Sequence, residues 1–390
     1  MMGYIGLCAD TVLVGGHLKA IQNGCILIKD GKILKVLAEE AFLKEDVKSC
    51  EIIELGNVTL MPGMIECHNH VALDARVPDH LEMMNDSECE LTIRSMKTLK
   101  DDLMSGVTTA RCMGDRHYID VVFKHQIQKG DVIGPNLLVS GIGMRSVHGH
   151  GYVGMGHAGV EEFRRTAREN MAKGVDLLKV FVTPGMPSVN SSFIPHFLTV
   201  DEIKTVVEEG KSMDLKTAAH CIGGQGLKDC IEAGVDVIEH AYAATEDDIE
   251  LIEKNNRWVN LTSGIFMDPS REAFCSKQSV LTIRKLREST IRCLEKVVKS
   301  NVRFTLGTDA YHTFLYREVE YAVSLGADKL TSLKGVTVNA AEMCGISDRT
   351  GSISEGLDAD IIAVKGDPLE DVSVLANVSF VMKNGHIYKR

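Results

Sequence analysis

The chain predicts an α/β fold, a (β/α)8 TIM barrel with a small β-sandwich domain built from both chain ends. Three observations predict it. Apolar strand-like runs alternate with helix-like stretches such as 200–213, the pattern of a parallel sheet. Several runs carry a polar, metal-competent residue at or near their carboxyl ends, where a barrel gathers its catalytic groups. Hairpin signals sit near both termini.

The elements follow in chain order. Residues 1–60 are rich in short strand-like runs, and 25–28 and 32–36 flank Asp30-Gly31, a strong hairpin turn. Barrel strands are expected at 60–68, 107–111, 136–140, 177–182, 216–220, 237–240, 258–262 and 303–307. The barrel then occupies 61–351, compatible with the roughly 250 residues typical of such folds. An open doubly wound sheet would less readily bring the first and last strands to one site. Runs at 360–364, 380–382 and 386–388, the last two flanking Asn384-Gly385, supply a second hairpin. Residues 1–60 plus 352–390 are therefore expected to form the β-sandwich domain.

The most informative segment is Met61-Pro62-Gly63-Met64-Ile65-Glu66-Cys67-His68-Asn69-His70. Residues i and i+2 of a strand share a face, so His68 and His70 can project into one cavity. Neutral imidazole is the commonest protein ligand for zinc-like ions. Alone, a His-x-His pair is more often two unrelated histidines. Lys179 within an apolar run, His220 and His240 at strand ends, and Asp309 just past another add weight. Cys67 and Cys221 adjoin candidate ligands and are expected to face away into packing.

In that order and at those positions, the residues resemble the amidohydrolase superfamily of metal-dependent hydrolases over essentially the whole chain. His68 and His70 match the family's first-strand pair, Lys179 its fourth-strand lysine, His220 and His240 its fifth- and sixth-strand histidines, and Asp309 its eighth-strand aspartate. Leu178-Lys179-Val180, Ile238-Glu239-His240, Gly307-Thr308-Asp309 and the tail Gly356-Leu357-Asp358-Ala359-Asp360 resemble the Xaa-Pro dipeptidase and imidazolonepropionase-like subgroup. Imidazolonepropionases lack the lysine ligand, so Lys179 favours the dipeptidase-like side.

The resemblance implies a binuclear centre. His68, His70 and Asp309 would hold one divalent ion, His220 and His240 the other, and carboxylated Lys179 would bridge. An uncarboxylated lysine more often snorkels to solvent, and as an ammonium it would repel cations. Zinc suits the mixed N/O donors best, with manganese, iron or cobalt also compatible. A metal-bridging hydroxide would attack the scissile carbonyl, and Asp309, the expected catalytic residue, would pass its proton to the leaving nitrogen. The expected activity is hydrolysis of a C–N bond in a small substrate, a dipeptide or N-acyl amino acid. The alternative is a deaminase or a cyclic-amide hydrolase.

Substrate contacts are expected on the loops. The glycine-rich stretch 140–152 follows the third strand and must lie at the barrel mouth. His148 is its first candidate for touching substrate, ahead of His150 and His157. Arg145 and Tyr152 could hold a carboxylate. In the dipeptidase-like subgroup a tyrosine often lies two residues past the fifth-strand histidine. Here that position is Ile222, and Tyr242 instead lies two past His240. Glu246-Asp247-Asp248 reads as a helix start rather than a site.

Composition sets broad bounds. A net charge of −11 and no basic block argue against a nucleic-acid partner. Eleven cysteines without a C-x-x-C pair, and no secretory leader or membrane-spanning stretch, suggest reduced thiols in a cytoplasmic enzyme. The expected partners are a small-molecule substrate and further copies of the chain in a homo-oligomer, with no membrane.

Overall fold

The computed structural model describes residues 4–42, 50–78, 80–151 and 154–390. Tyr152 therefore lies outside the described residues. Both chain ends join one eight-stranded sheet. Its order runs His386–Lys389, Val378–Lys383, Ile361–Val364, Thr59–Pro62, Tyr4–Val14, Lys19–Lys29 and Lys32–Ala38, with Cys50–Glu54 beside the first half of Tyr4–Val14. The sheet has an apolar core of its own, including Leu7, Val12, Ile26, Leu60, Ile361 and Phe380.

The two expected hairpins form, and their turns press together. Asp30 and Gly31 take φ 48° and 79°, Asn384 and Gly385 take 50° and 75°, as two-residue hairpin turns require. A Cβ on Gly31 would meet the Asn384 carbonyl at 2.7 Å, and one on Gly385 would meet Gly31 Cα at 2.6 Å. Only glycine allows this contact between turns from opposite chain ends.

Two expectations need correction here. The run 60–68 is not one strand. Thr59–Pro62 pairs with Tyr4–Val14 and Ile361–Val364 in the terminal sheet, and the barrel strand is Met64–Asn69. The break falls at Gly63, whose backbone lies so close to Thr108 that a Cβ would sit 2.2 Å from its hydroxyl. Nor are all cysteines reduced. Cys8 and Cys25 are directly opposed across the paired strands Tyr4–Val14 and Lys19–Lys29, Cα atoms 4.2 Å apart, and form a disulfide. Counting cysteines could not reveal that register.

The middle of the chain is barrel-like α/β with parallel strands. One run is Met64–Asn69, Val107–Cys112 and Asn136–Leu138. The other is Met144–Arg145, Leu177–Phe181, Lys216–Cys221, Val237–His240, Trp258–Leu261 and Arg303–Leu306. The expected third strand, 136–140, thus ends at Leu138, and pairing to the next strand comes instead from Met144–Arg145. Side chains replace the ladder across the gap: Asp176 accepts from Val139 N, Asp120 from Ser140 N and Gly141 N, and Asn170 from Ile142 N. The ring closes where Asp309 N donates to His68 O at 2.9 Å. Glu66 accepts from both His68 N and Thr308 N at the same seam.

Helices alternate with the strands, and their starts are written locally. Ser87 with Glu90, Thr199 with Glu202, and Thr245 with Asp248 form capping boxes. The acidic triplet 246–248 is the first turn of Glu246–Lys254, as expected. Cys67 and Cys221 pack in apolar clusters behind their histidines. Among the described residues no helix is long and apolar enough to cross a membrane.

Candidate active site

Parallel strands deliver six expected side chains to one end of the ring. His68 lies near the end of Met64–Asn69 and His70 just beyond it. Lys179 is central in Leu177–Phe181, His220 is near the end of Lys216–Cys221, and His240 ends Val237–His240. Asp309 follows Arg303–Leu306. Asp309 Oδ1 lies 3.5 Å from both His68 Nε2 and His70 Nε2. One potential ligand atom from each of these three falls within 4.8 Å of the others. The His240 ring is 4.7 Å from His68 and 4.5 Å from His220. His240 and Asp309 hold φ of 80° and 54°, a left-handed conformation that side chains rarely adopt and that clusters at functional sites.

Hydrogen bonds decide which nitrogen each imidazole presents. His68 Nδ1 is 2.8 Å from Glu239 Oε2, and His70 Nδ1 is 2.7 Å from Gly114 O. Both partners accept, so both rings donate from Nδ1 and turn Nε2 toward Asp309. His240 Nδ1 meets the Thr262 hydroxyl at 2.8 Å. His220 is turned the other way: its Nε2 donates to Pro184 O at 3.0 Å, leaving Nδ1. Burial pushes His70 down to about 3 and His220 and His240 well below the usual imidazole range. These rings are neutral at pH 7, as metal ligands must be. Burial alone would raise the Asp309 carboxyl, but His68, His240 and His70 together hold it well below the usual carboxylate range.

Lys179 supplies the test of a metal centre. Its side chain is fully buried, and its Nζ has no hydrogen-bond partner among the described residues. Burial, aided by Arg111 and Arg145 against Glu239 and Asp309, pushes the amine down to about 8. An orphaned buried amine beside neutral imidazoles and an ionised carboxylate lacks a compensating group. A cation with an anionic bridge satisfies all of these atoms, so the residues fit the centre.

A cavity of about 320 Å³ opens over this cluster, lined by His70, His220, His240 and Asp309. Arg145 and Tyr242 line it too. The Tyr242 hydroxyl is already bonded to Thr262 O at 3.0 Å, so the tyrosine contributes its ring. His148 does not reach the cavity. It is exposed, bonded to the Ser146 hydroxyl at 2.7 Å and edge-on to Phe197. His150 takes that place, its ring 4.6 Å from His220. His157 is buried between the Arg145 backbone and Thr166.

Sequence reasoning missed Glu239 and Arg111, a buried pair 2.8 Å apart beneath His68. It also missed Arg271, which lines the cavity and donates to Thr308 O. The charge inside the run Ile238-Glu239-His240 was the available signal for Glu239.

Comparison with known proteins agrees with this geometry. The family model described as "Amidohydrolase family" matches residues 59–388. Ochratoxinase of Aspergillus niger is 29% identical over 418 residues, covering 97% of this chain and 85% of that protein. Imidazolonepropionase of Fusobacterium nucleatum subsp. nucleatum is 22% identical, covering 87% of this chain and 84% of its own. The crystal structure of a Xaa-Pro dipeptidase with bound methionine in the active site shares the fold, with a TM-score of 0.89 and 24% identity over 100% of both chains. With a family match from the last N-terminal strand of the sheet to the final one, around a converged His, Lys and Asp cluster, the chain belongs to the amidohydrolase family and is a hydrolase acting on carbon–nitrogen bonds.

Proposed function

We propose that this hydrolase cleaves the amide bond of a small substrate that carries a free carboxylate, a dipeptide or an N-acyl amino acid. One observation carries the reading. Arg145 lines the cavity as a buried cation, and no carboxylate among the described residues pairs with it. Its Nε–H goes to Gly143 O at 3.2 Å and its guanidinium lies 4.1 Å over the Phe181 ring. Burial pushes it down to about 10, opposed only by the charge of Asp115. A substrate carboxylate would relieve that penalty through directed, charge-assisted hydrogen bonds. Arg116 and Arg271, the other arginines lining the cavity, each already give a terminal guanidinium nitrogen to a backbone carbonyl, Met84 O and Thr308 O. The relatives support the class: one is an ochratoxinase, and the Xaa-Pro dipeptidase structure holds an amino acid.

His68, His70 and Asp309 would hold one divalent ion and His220 and His240 a second, with Lys179 between them as its carbamate. Zinc suits these donors. Such ions polarise a carbonyl and bring the pKa of water toward neutrality. Asp309 takes the proton of the attacking water on its carboxylate and returns it to the leaving nitrogen. Arg145 orients the carboxylate. Across the ring, Leu73, Met84, Ile265 and Ile283 give the cavity an apolar wall that excludes water. A cyclic amide without a charged group would leave Arg145 without a partner. The same reading takes residues 1–60 and 352–390 as one small β-sandwich domain with a structural role.

Rates on a free acid and on its C-terminal amide test the proposal. The free acid is expected to react faster, and Arg145→Ala to raise KM for the acid alone by about 10-fold to 100-fold, as loss of a charged hydrogen bond does. Equal kcat/KM on acid and amide would defeat it.

A further inference from the structure

We infer that Glu239 is a positioning residue that sets the tautomer of His68, and that Arg111 enforces the choice. The inference rests on the reading of His68 as a metal ligand. Glu239 is 0% exposed and its two oxygens face different partners. Oε2 lies 2.8 Å from His68 Nδ1, and Oε1 lies 2.8 Å from Arg111 Nη1. Arg111, itself 3% exposed, also donates to Cys67 O at 3.0 Å, which anchors it beneath the first barrel strand.

The donor inventory then fixes the Nδ1 end of the ring. A guanidinium only donates, and an ionised carboxylate only accepts. His68 Nδ1 must therefore carry a proton, and the neutral ring that a metal ligand must be then presents its Nε2 lone pair, 3.5 Å from Asp309 Oδ1. His70 needs no such device, because the Gly114 carbonyl can only accept from it. The Thr262 hydroxyl beside His240 could donate or accept. Among these three rings, His68 alone has its tautomer set by an ionised side chain. The device also ties three strands together, because Arg111, Glu239 and His68 lie on Val107–Cys112, Val237–His240 and Met64–Asn69.

Glu239→Gln is a sharp test because Arg111 makes it non-conservative. Arg111 can only donate, so it claims the amide oxygen and turns the amide NH2 toward His68 Nδ1. That nitrogen must now accept, which moves the ring proton to Nε2 and removes the lone pair from the site. Apo-protein of Glu239→Gln is expected to bind zinc about 10-fold to 100-fold more weakly than wild type at the first site, the usual effect of losing such a partner. Nitrogen-15 NMR of histidine-labelled apo-protein is expected to show His68 protonated on Nδ1 in wild type and on Nε2 in the variant. Adding Arg111→Met frees the amide to rotate, so the double variant is expected to recover zinc affinity over Glu239→Gln alone.

Wild-type His68 protonated on Nε2 would overturn the inference without any variant. So would wild-type zinc affinity in Glu239→Gln, or a folded double variant that binds zinc no better than the single one. A wild-type chain that binds no divalent ion would instead defeat the metal reading itself, whatever the tautomer.

Discussion

His68, His70 and Asp309 bring their ligand atoms within 4.8 Å of one another, each ring braced through Nδ1 by a buried acceptor. His220 and His240 also lie close, ring centroids 4.5 Å apart, but the set they form with Lys179 is incomplete. The Lys179 Nζ has no partner, and His220 spends its Nε2 on Pro184 O. The first three sit at the seam where the first and last strands close the ring, with Glu66 clamping His68 N and Thr308 N together. The other three sit on adjacent strands paired in continuous register. The difference teaches that ring closure, with Glu66 and Glu239 at the seam, assembles the first half, whereas the second half waits for a group that neutralises a buried amine.

The largest expected effect separates chemistry from assembly. Asp309→Asn keeps much of its metal, because His68 and His70 remain braced, yet is expected to lose turnover by about 10²–10⁴, the scale of lost acid–base catalysis. Steady-state kinetics beside metal analysis checks this. Near-normal turnover would remove Asp309 from the proton path.

A smaller effect sharpens the contrast between halves. Stepwise chelation of the metal-loaded enzyme is expected to remove one ion at least about 10-fold more readily, since outer hydrogen-bond partners contribute on that scale. His220→Asn should eliminate the readily removed ion and His70→Asn the retained one. Simultaneous loss of both ions would erase the asymmetry.

The smallest effect is a pH dependence. Burial pushes His150 down from 6.5 to about 4. Between those values the unfolded chain binds the proton and the folded chain does not. The stability contribution of this ring is therefore lost as pH falls through that window. The Tm of wild type minus that of His150→Gln should shrink by a few degrees between pH 6.5 and 4. A constant difference would show that the ring is not buried against the cavity wall.

Much of the site was legible because barrel strands end in chemistry. His68, His220 and His240 could be placed from the apolar runs before them, and Asp309 from its place after the last strand. The split of 60–68 had one local signal, Pro62-Gly63, but whether that pair breaks a strand depends on Thr108 across the space. Glu239 looked like one charge in a strand, because its partner Arg111 lies 128 residues away. His148 and His150 share a glycine-rich loop without periodicity, so only coordinates separate the ring facing Phe197 from the one facing His220. The hairpins were easy for the opposite reason: Asp30-Gly31 and Asn384-Gly385 encode their turns locally.

The most direct test is metal stoichiometry and turnover in Lys179→Ala, purified without chelator beside wild type. The account predicts about two divalent ions per chain in wild type and about one in the variant. It also predicts lost activity that short carboxylic acids restore in part by standing in for the carbamate. A Lys179→Ala enzyme that is fully loaded and fully active would contradict it.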